Sequence, residues 1–413
     1  MPSSSRESLA SALKSFFNTP NNRKKTMSAN VEKPKNRDII VDSVRGFALL
    51  GIILVNIHYF AVSSADGWFG ADLSSLENQL GGITTSGLFL AKFYLLFSFL
   101  FGYSSTYVVK GTPENKSRWT KRSWLLIGFG FLHAVFLFQG DILFVYGVLG
   151  LILWTFMFRK DSTIRGWAIF LYVLTAVGMF FVTIAAFLAD TFEPITKAEF
   201  LTSSRLDEMM LSGSFLEQAI ARLELWATLL PGIFILQGPL VFVAFLIGLM
   251  AGRKSALSTN NFTDSLSNKL IGFGFGIGIP LQVLMGRLMT WTLADDALSF
   301  GLFMVSLAVI FLTGGLVSAG IVGVIGKLAL RGRKLELLFS AGRNSLTIYL
   351  FQSVILSVLF AGWGLGLFGQ TSVAMDLLIG FAVWLGLSLL AVVLVRAKRR
   401  GPMEVVLTKL SGR

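Results

Sequence analysis

Residues 37–60 read RDIIVDSVRGFALLGIILVNIHYF. The stretch is long and apolar enough to span a membrane as a helix, yet it carries Asp42, Arg45, Asn56 and His58. Ionisable groups at or inside a bilayer cost free energy, so each is a candidate for function. At about 100° per residue, Arg45 and Asn56, eleven apart, differ by only about 20°, and Asp42 lies within about 60° of Arg45. These three share one stripe, which is expected to face the helix bundle. Asp42 and Arg45, spaced i, i+3, can pair. The pair reads either as an interfacial anchor for the helix or as an anion-binding or gating pair at its cytoplasmic end. His58 falls about 140° off the stripe, toward lipid headgroups or another helix.

The rest of the chain agrees with a membrane setting. Of 413 residues 54% are hydrophobic and 14% charged, with 38 Phe, and the mean hydropathy is +0.70. An average soluble domain carries about 25% charged residues. Cysteine is absent, which excludes disulfides, iron–sulfur clusters and thiolate catalysis. Only two histidines, His58 and His133, are present, which argues against a His-rich zinc site, and no metal-ligand cluster is seen.

Apolar runs predict an all-α polytopic protein with ten spans, at roughly 40–62, 87–109, 123–139, 142–158, 164–189, 226–251, 268–290, 298–325, 342–361 and 374–395. The third and fourth form a hairpin that turns at Gln139-Gly140-Asp141. Lys and Arg collect in every second connection: 110–122, 159–165, 252–269 and 327–343, together with both tails. Residues 63–86 have no Lys or Arg, 190–225 are net acidic and 362–373 are uncharged. The positive-inside rule then places both termini in the cytoplasm. The net charge of +13 is thus a topology signal, and nucleic acid is not an expected partner. Residues 1–37 read as a basic cytoplasmic tail, disordered or interfacial, in which Ser5–Phe17 could form an amphipathic helix and Met27 could be the start. Residues 38–400 read as one membrane domain and 401–413 as a short cytoplasmic tail. LDEMMLSGSFLEQAIARLELW (Leu206–Trp226) suggests an amphipathic helix on the outer surface, a cover for a site or a connector.

Other polar residues lie within the spans. In GFLHAVFLFQGDILFVYGVLGL (Gly130–Leu151) the turn can fold back to bring Asp141 near His133. A carboxylate-oriented imidazole is a plausible general base; equally, His133 can bond across helices while Asp141 caps the fourth span. Lys92 either snorkels outward or pairs with Asp141 or Asp72. In SAGRNSLTIYLFQS (Ser340–Ser353), Ser340 or Asn344 can cap a helix whose N-terminus, with Arg343 beside it, suits an anion. Ordinary capping plus a positive-inside Arg explains it as well. GFGFGIG (Gly272–Gly278) sits inside a span and reads as a close-packing surface.

These motifs together resemble one family. DSVRGFALLGIILVN (Asp42–Asn56), FSFLFGYS (Phe97–Ser104), the His133–Asp141 stretch, GRNSLTIYLFQSVI (Gly342–Ile355), GLGLFGQ (Gly364–Gln370) and GPMEVV (Gly401–Val406) are similar, in order, to the YeiB family of bacterial inner-membrane proteins. The first-span pattern in turn resembles the transmembrane acyltransferases, which include the heparan-glucosaminide N-acetyltransferase and the sugar O-acetylases. That resemblance implies an inner-membrane protein that moves an acyl group from cytoplasmic acyl-CoA to an acceptor, a glycan or small metabolite, on the other side. It implies that Asp42, Arg45 and Asn56, with Arg122 and Arg343 on the basic face, receive the donor. His133 and Asp141 would then serve as base and orienting acid, and Lys92 would bind the acceptor or the oxyanion. The sugar O-acetylases usually place a catalytic His shortly after the first-span Arg; here the spacing from Arg45 to His58 differs. A small-molecule transporter and a non-catalytic accessory protein are the alternatives. Against the transporter, the sequence displays neither an inverted repeat nor a pair of clearly broken helices.

Overall fold

The computed structural model describes residues 38–192, 196–201, 204–295 and 298–412. The readings made for residues 1–37 lie outside the described residues. Asp38–Arg413 form one compact unit, and its regular structure among the described residues is helical throughout. In chain order the α-helices of eight or more residues are α1 (Ile39–Asn56), α2 (Leu76–Thr84), α3 (Lys92–Val109), α4 (Lys116–Phe136), α5 (Leu143–Leu153), α6 (Asp161–Phe192), α7 (Arg205–Ser212) and α8 (Phe215–Gly232). Then follow α9 (Gly238–Arg253), α10 (Asp264–Phe273), α11 (Ile279–Ala294), α12 (Phe300–Leu330), α13 (Glu336–Arg343), α14 (Ser345–Phe360), α15 (Val373–Arg396) and α16 (Pro402–Leu410).

Seven helical runs are long and apolar enough to cross a membrane, and the α13–α14 pair, bent by 87° at Asn344, makes an eighth if taken as one span. The chain is therefore a multi-pass helical membrane protein. The other two expected spans are α4 and α5. The first turns of α4 hold Lys116, Arg118, Lys121 and Arg122, and the short apolar helix Leu143–Phe156 rises only about 21 Å, less than the roughly 30 Å of a bilayer core. Hydrogen bonds nevertheless sort the connections into two groups that alternate along the chain. One group joins Tyr107 to Asp38, Arg253 to Arg159 and Asp161, Lys327 to Asn268, and Arg396 to Glu336. The other joins Ser64 to Asp207, Gln139 to Ser64, Gly362 to Met210, Gly369 to Ala61, and Gly301 to Asp190. The first group holds connections rich in Lys and Arg.

Outward faces stay apolar: α6 presents Trp167, Phe170, Phe180 and Phe181 to the surroundings, as a lipid-facing helix does. Inside, small residues set the packing. A Cβ on Gly102 would lie 2.1 Å from the Phe245 carbonyl oxygen and one on Gly248 2.0 Å from that of Phe99, so α3 and α9 cross with their backbones in contact. Gly274 meets Gly320 in the same way, as the glycine run at 272–278 predicts.

Among the described residues, three helices contain a π-helical turn, at Thr85–Phe89, Ile233–Gln237 and Gly274–Gly278. After the first of these, Leu90 is extended and Ala91 adopts a left-handed conformation at φ 68°, which breaks the helix before Lys92. The predicted surface helix at 206–226 is divided at Gly213 into α7 and α8, each opened by a serine cap, Ser204 and Ser214. Within 401–412, α16 packs against α14.

Candidate functional site

Helix α1 is the frame of the site. Its Gly46 lies against α13: a Cβ there would be 2.0 Å from the Leu338 carbonyl oxygen, and one on Gly342 would be 1.7 Å from that of Asp42. This backbone contact fixes Arg45 among Asp42 Oδ1 at 2.7 Å, Ser104 Oγ at 2.8 Å and the Gly342 carbonyl at 3.5 Å. The predicted Asp42–Arg45 pair is thus present, and Ser104 and Gly342, from two other motifs, complete it. About 16 Å along the helix, Asn56 lines a cavity of about 330 Å³.

That cavity lies where helices depart from regular geometry. Phe89, Leu90 and Ala91 border it from the first π-turn and its break, and Ile233, Leu236 and Gln237 border it from the second. Such turns concentrate at functional sites. Apolar side chains dominate the wall, and Asn56, Tyr94, Gln139, Asp141, Gln237 and Tyr349 supply polar groups, the composition of a small-molecule site. The Tyr94 hydroxyl has no hydrogen-bond partner among the described residues.

Asp141 connects the cavity to His133. The turn at 139–141 folds back as expected, with His133 Nδ1 2.7 Å from Asp141 Oδ2. Gly130 permits this, since a Cβ there would lie 2.2 Å from the Phe144 nitrogen. Asp141 Oδ1 accepts from the Phe144 N–H at 2.7 Å, which caps α5. The other ring nitrogen, Nε2, meets Ser353 Oγ at 2.9 Å. Tyr349, one turn before Ser353, lies 5.0 Å from the His133 ring and donates to Asp141 at 3.4 Å. Both sequence readings of this pair therefore coexist: the carboxylate orients the imidazole, and the same atoms bind α4, α5 and α14 together. Ser, His and Asp in this order, contributed by three elements, have the geometry by which a nucleophile–base–acid array is recognised.

His58 forms a second array, which does not reach the cavity. It is fully buried, with Nδ1 3.3 Å from Asp376 and Nε2 3.0 Å from Thr85, so it faces neither lipid headgroups nor solvent. Neither His58 nor its two partners line the cavity; this array clamps the end of α1 to α15 and to the first π-turn.

Lys92 departs from expectation. Its ammonium is fully buried and donates to the Ser86 carbonyl at 2.7 Å; it neither snorkels nor pairs with Asp141 or Asp72, and it is not in the cavity wall. The helix break beside it explains this, because a helix end leaves carbonyls without ladder partners. Asp72 is satisfied elsewhere: the Ser74 backbone and hydroxyl hold its carboxyl below the ordinary value.

The α14 N-terminus also differs from the predicted anion site. Glu404 from α16 already accepts from the Leu346 and Thr347 N–H groups at 2.7 and 3.2 Å and from the Thr347 hydroxyl. Asn344 holds the Gly401 N–H instead of capping its own helix. Arg343 stacks over Phe339 at 5.6 Å, and Arg122 is half-buried on α4. Removing the borrowed cap by Glu404→Ala is expected to cost about 1–2 kcal/mol and lower the melting temperature by a few degrees. A thermal-shift measurement in detergent checks this, with Glu404→Gln expected to fall between the two.

Residues 251–413 match the family described as "Protein of unknown function (DUF418)". The chain is 26% identical over 396 residues to "Uncharacterized protein YxaH" of Bacillus subtilis, covering 88% of this chain and 92% of that protein. It is 36% identical over 123 residues to "Uncharacterized protein YeiB" of Escherichia coli, 29% of this chain and 30% of that protein. No solved structure matches.

Proposed function

We propose, for a chain that belongs to the YeiB-like proteins of uncharacterised function, an acyl transfer across a bacterial inner membrane. The donor is a cytoplasmic acyl-CoA and the acceptor a hydroxyl or amine on the other side. Ten crossings with both termini inside complete the reading: eight long spans, the bent α13–α14 pair taken as one of them, plus the two helices of the α4–α5 hairpin.

The observation that carries the proposal is the imidazole of His133, held by Asp141 at 2.7 Å beside a largely apolar cavity of about 330 Å³. With Asp141 accepting from Nδ1, Nε2 is left as the basic nitrogen that removes a proton. The cavity accommodates the acyl group, and the Tyr94 and Asn56 side chains are polar partners for its carbonyl. Arg45, Arg122 and Arg343 lie toward the basic end and attract the CoA phosphates. Lys92, spent on a backbone carbonyl, acts on the site only by holding the helix break.

Binding of acetyl-CoA and of a long-chain acyl-CoA to purified protein in detergent tests the donor site. Saturable binding is expected. Arg45→Ala should weaken it roughly tenfold or more, since a hydrogen bond to a charged group contributes about 1.5–3 kcal/mol. His133→Gln should leave it unchanged. Absence of binding by protein that remains monodisperse would overturn the proposal.

The helix break at Leu90–Ala91, which borders the cavity, favours a second reading, passage of a small molecule, because discontinuous helices mark transport sites. Under the second reading, proteoliposomes would exchange solute while leaving acyl-CoA intact.

A further inference from the structure

We infer that Ser353 is a covalent acyl carrier, so that the acyl group rests on the protein between donor and acceptor; this rests on the transferase reading. A buried serine or threonine within a helix commonly returns its hydroxyl to the carbonyl four residues earlier. Here Ser98, Ser306, Thr175 and Thr290 do so. Ser353 does not. Its hydroxyl goes to His133 Nε2 at 2.9 Å, the nitrogen left basic by the Asp141 contact on the far side of the ring.

Ser353 is 4% exposed and does not line the cavity. Tyr349, one turn away on the same helix, does line it. Among the described residues its hydroxyl is held by two long hydrogen bonds of 3.4 Å, to Asp141 and from the Ile142 N–H. Bonds of that length are weak, and the Tyr349 side chain must move for the acyl group to reach Ser353. Tyr349 is thus the positioning residue between the acyl-binding space and the nucleophile.

The chemistry balances without a further reagent. Ser353 Oγ attacks the thioester carbonyl carbon while its proton passes to His133 Nε2. The C–S bond breaks, the proton moves to the sulfur, and CoA leaves as the free thiol. An acceptor O–H or N–H then gives its proton to Nε2 and attacks the serine ester. The C–Oγ bond breaks and Ser353 recovers a proton from His133. Covalent storage allows the thiol to leave before the acceptor arrives, which suits a donor and acceptor that approach from opposite ends of the bundle.

Intact protein in detergent, mixed with acetyl-CoA and no acceptor and quenched in acid, should release thiol in a burst approaching one per chain. Peptide mass spectrometry should place the acetyl group on Ser353, and Ser353→Ala should abolish both while acetyl-CoA binding persists. A second variant guards against misfolding. The chain has no cysteine, so Ser353→Cys introduces a single thiol, whose alkylation should slow at least tenfold when His133→Gln is added. Thiol release by Ser353→Ala within threefold of wild type, with no acetyl on residue 353, would overturn the carrier and leave the transferase reading standing. No thiol release by any variant or by wild type would overturn both.

Discussion

Gly342→Val leaves no folded protein. The nearest atom to a Cβ at this position is the Asp42 carbonyl oxygen at 1.7 Å, and the Gly46 nitrogen also lies within 3.0 Å. Both are backbone atoms of α1, so no side-chain rotation relieves the clash and the helices must separate. Overpacking a core typically costs about 1–3 kcal/mol; a clash of backbone against backbone should exceed that. Separation of α13 from α1 also strips Arg45 of the Gly342 carbonyl and shifts the bend at Asn344. Size-exclusion chromatography in detergent should show aggregate in place of a monodisperse peak, and Gly46→Val should behave alike. Gly386→Ala is the control: nothing lies within 4 Å of its Cβ, and alanine in a helix should be neutral or mildly stabilising. A monodisperse Gly342→Val protein melting within about 2 °C of wild type would contradict the interlock.

Asp141→Asn should separate chemistry from folding. The amide oxygen can still accept from the Phe144 N–H and keep the α5 cap, so the melting temperature changes by a few degrees at most. The amide cannot stabilise an imidazolium, and it presents the wrong partner to Nδ1. Loss of the orienting carboxylate in an array of this kind lowers turnover by about 10⁴-fold, and a comparable loss is expected here. Asp141→Ala should do worse on both counts. It leaves His133, 2% exposed, and the Phe144 N–H without their partner, and an unsatisfied buried polar group costs about 1–3 kcal/mol. Acyl-CoA turnover and thermal shift measured on the same preparations check the pair of variants. Equal loss of stability in both would assign Asp141 to structure alone.

Much of the architecture was legible because it rests on periodicity and charge. Apolar runs mark the helices, and the Lys and Arg count separates the two groups of connections. Gly140 and Asp141 between two apolar runs betray the fold-back that places Asp141 on His133. The Asp42–Arg45 spacing predicts its own ion pair. What escaped depends on helices meeting in space. Ser353 is an ordinary small polar residue until α14 is set against α4. Glu404 lies 57 residues or more from the N–H groups that it caps, a distance at which local capping patterns are silent. The π-turns insert a single residue's worth of phase, which hydropathy does not register, so the irregular helices around the cavity and the break at Ala91 could not be anticipated. Lys92 was misplaced for that reason: its partner is a carbonyl freed by the break. Likewise α13, which lies against α1 and bends into α14 at Asn344, falls in the stretch 327–343 that the charge count reads as a connection.

The most direct test of the account is release of thiol from acyl-CoA by the purified chain, supplied with hydroxyl and amine acceptors, for wild type, His133→Gln and Asp141→Asn side by side. The account predicts acyl-CoA-dependent release by wild type and a loss of at least about 10²-fold in each variant, with acyl-CoA binding retained in all three. Release at the protein-free background by folded wild-type protein, or equal release by all three, would contradict it.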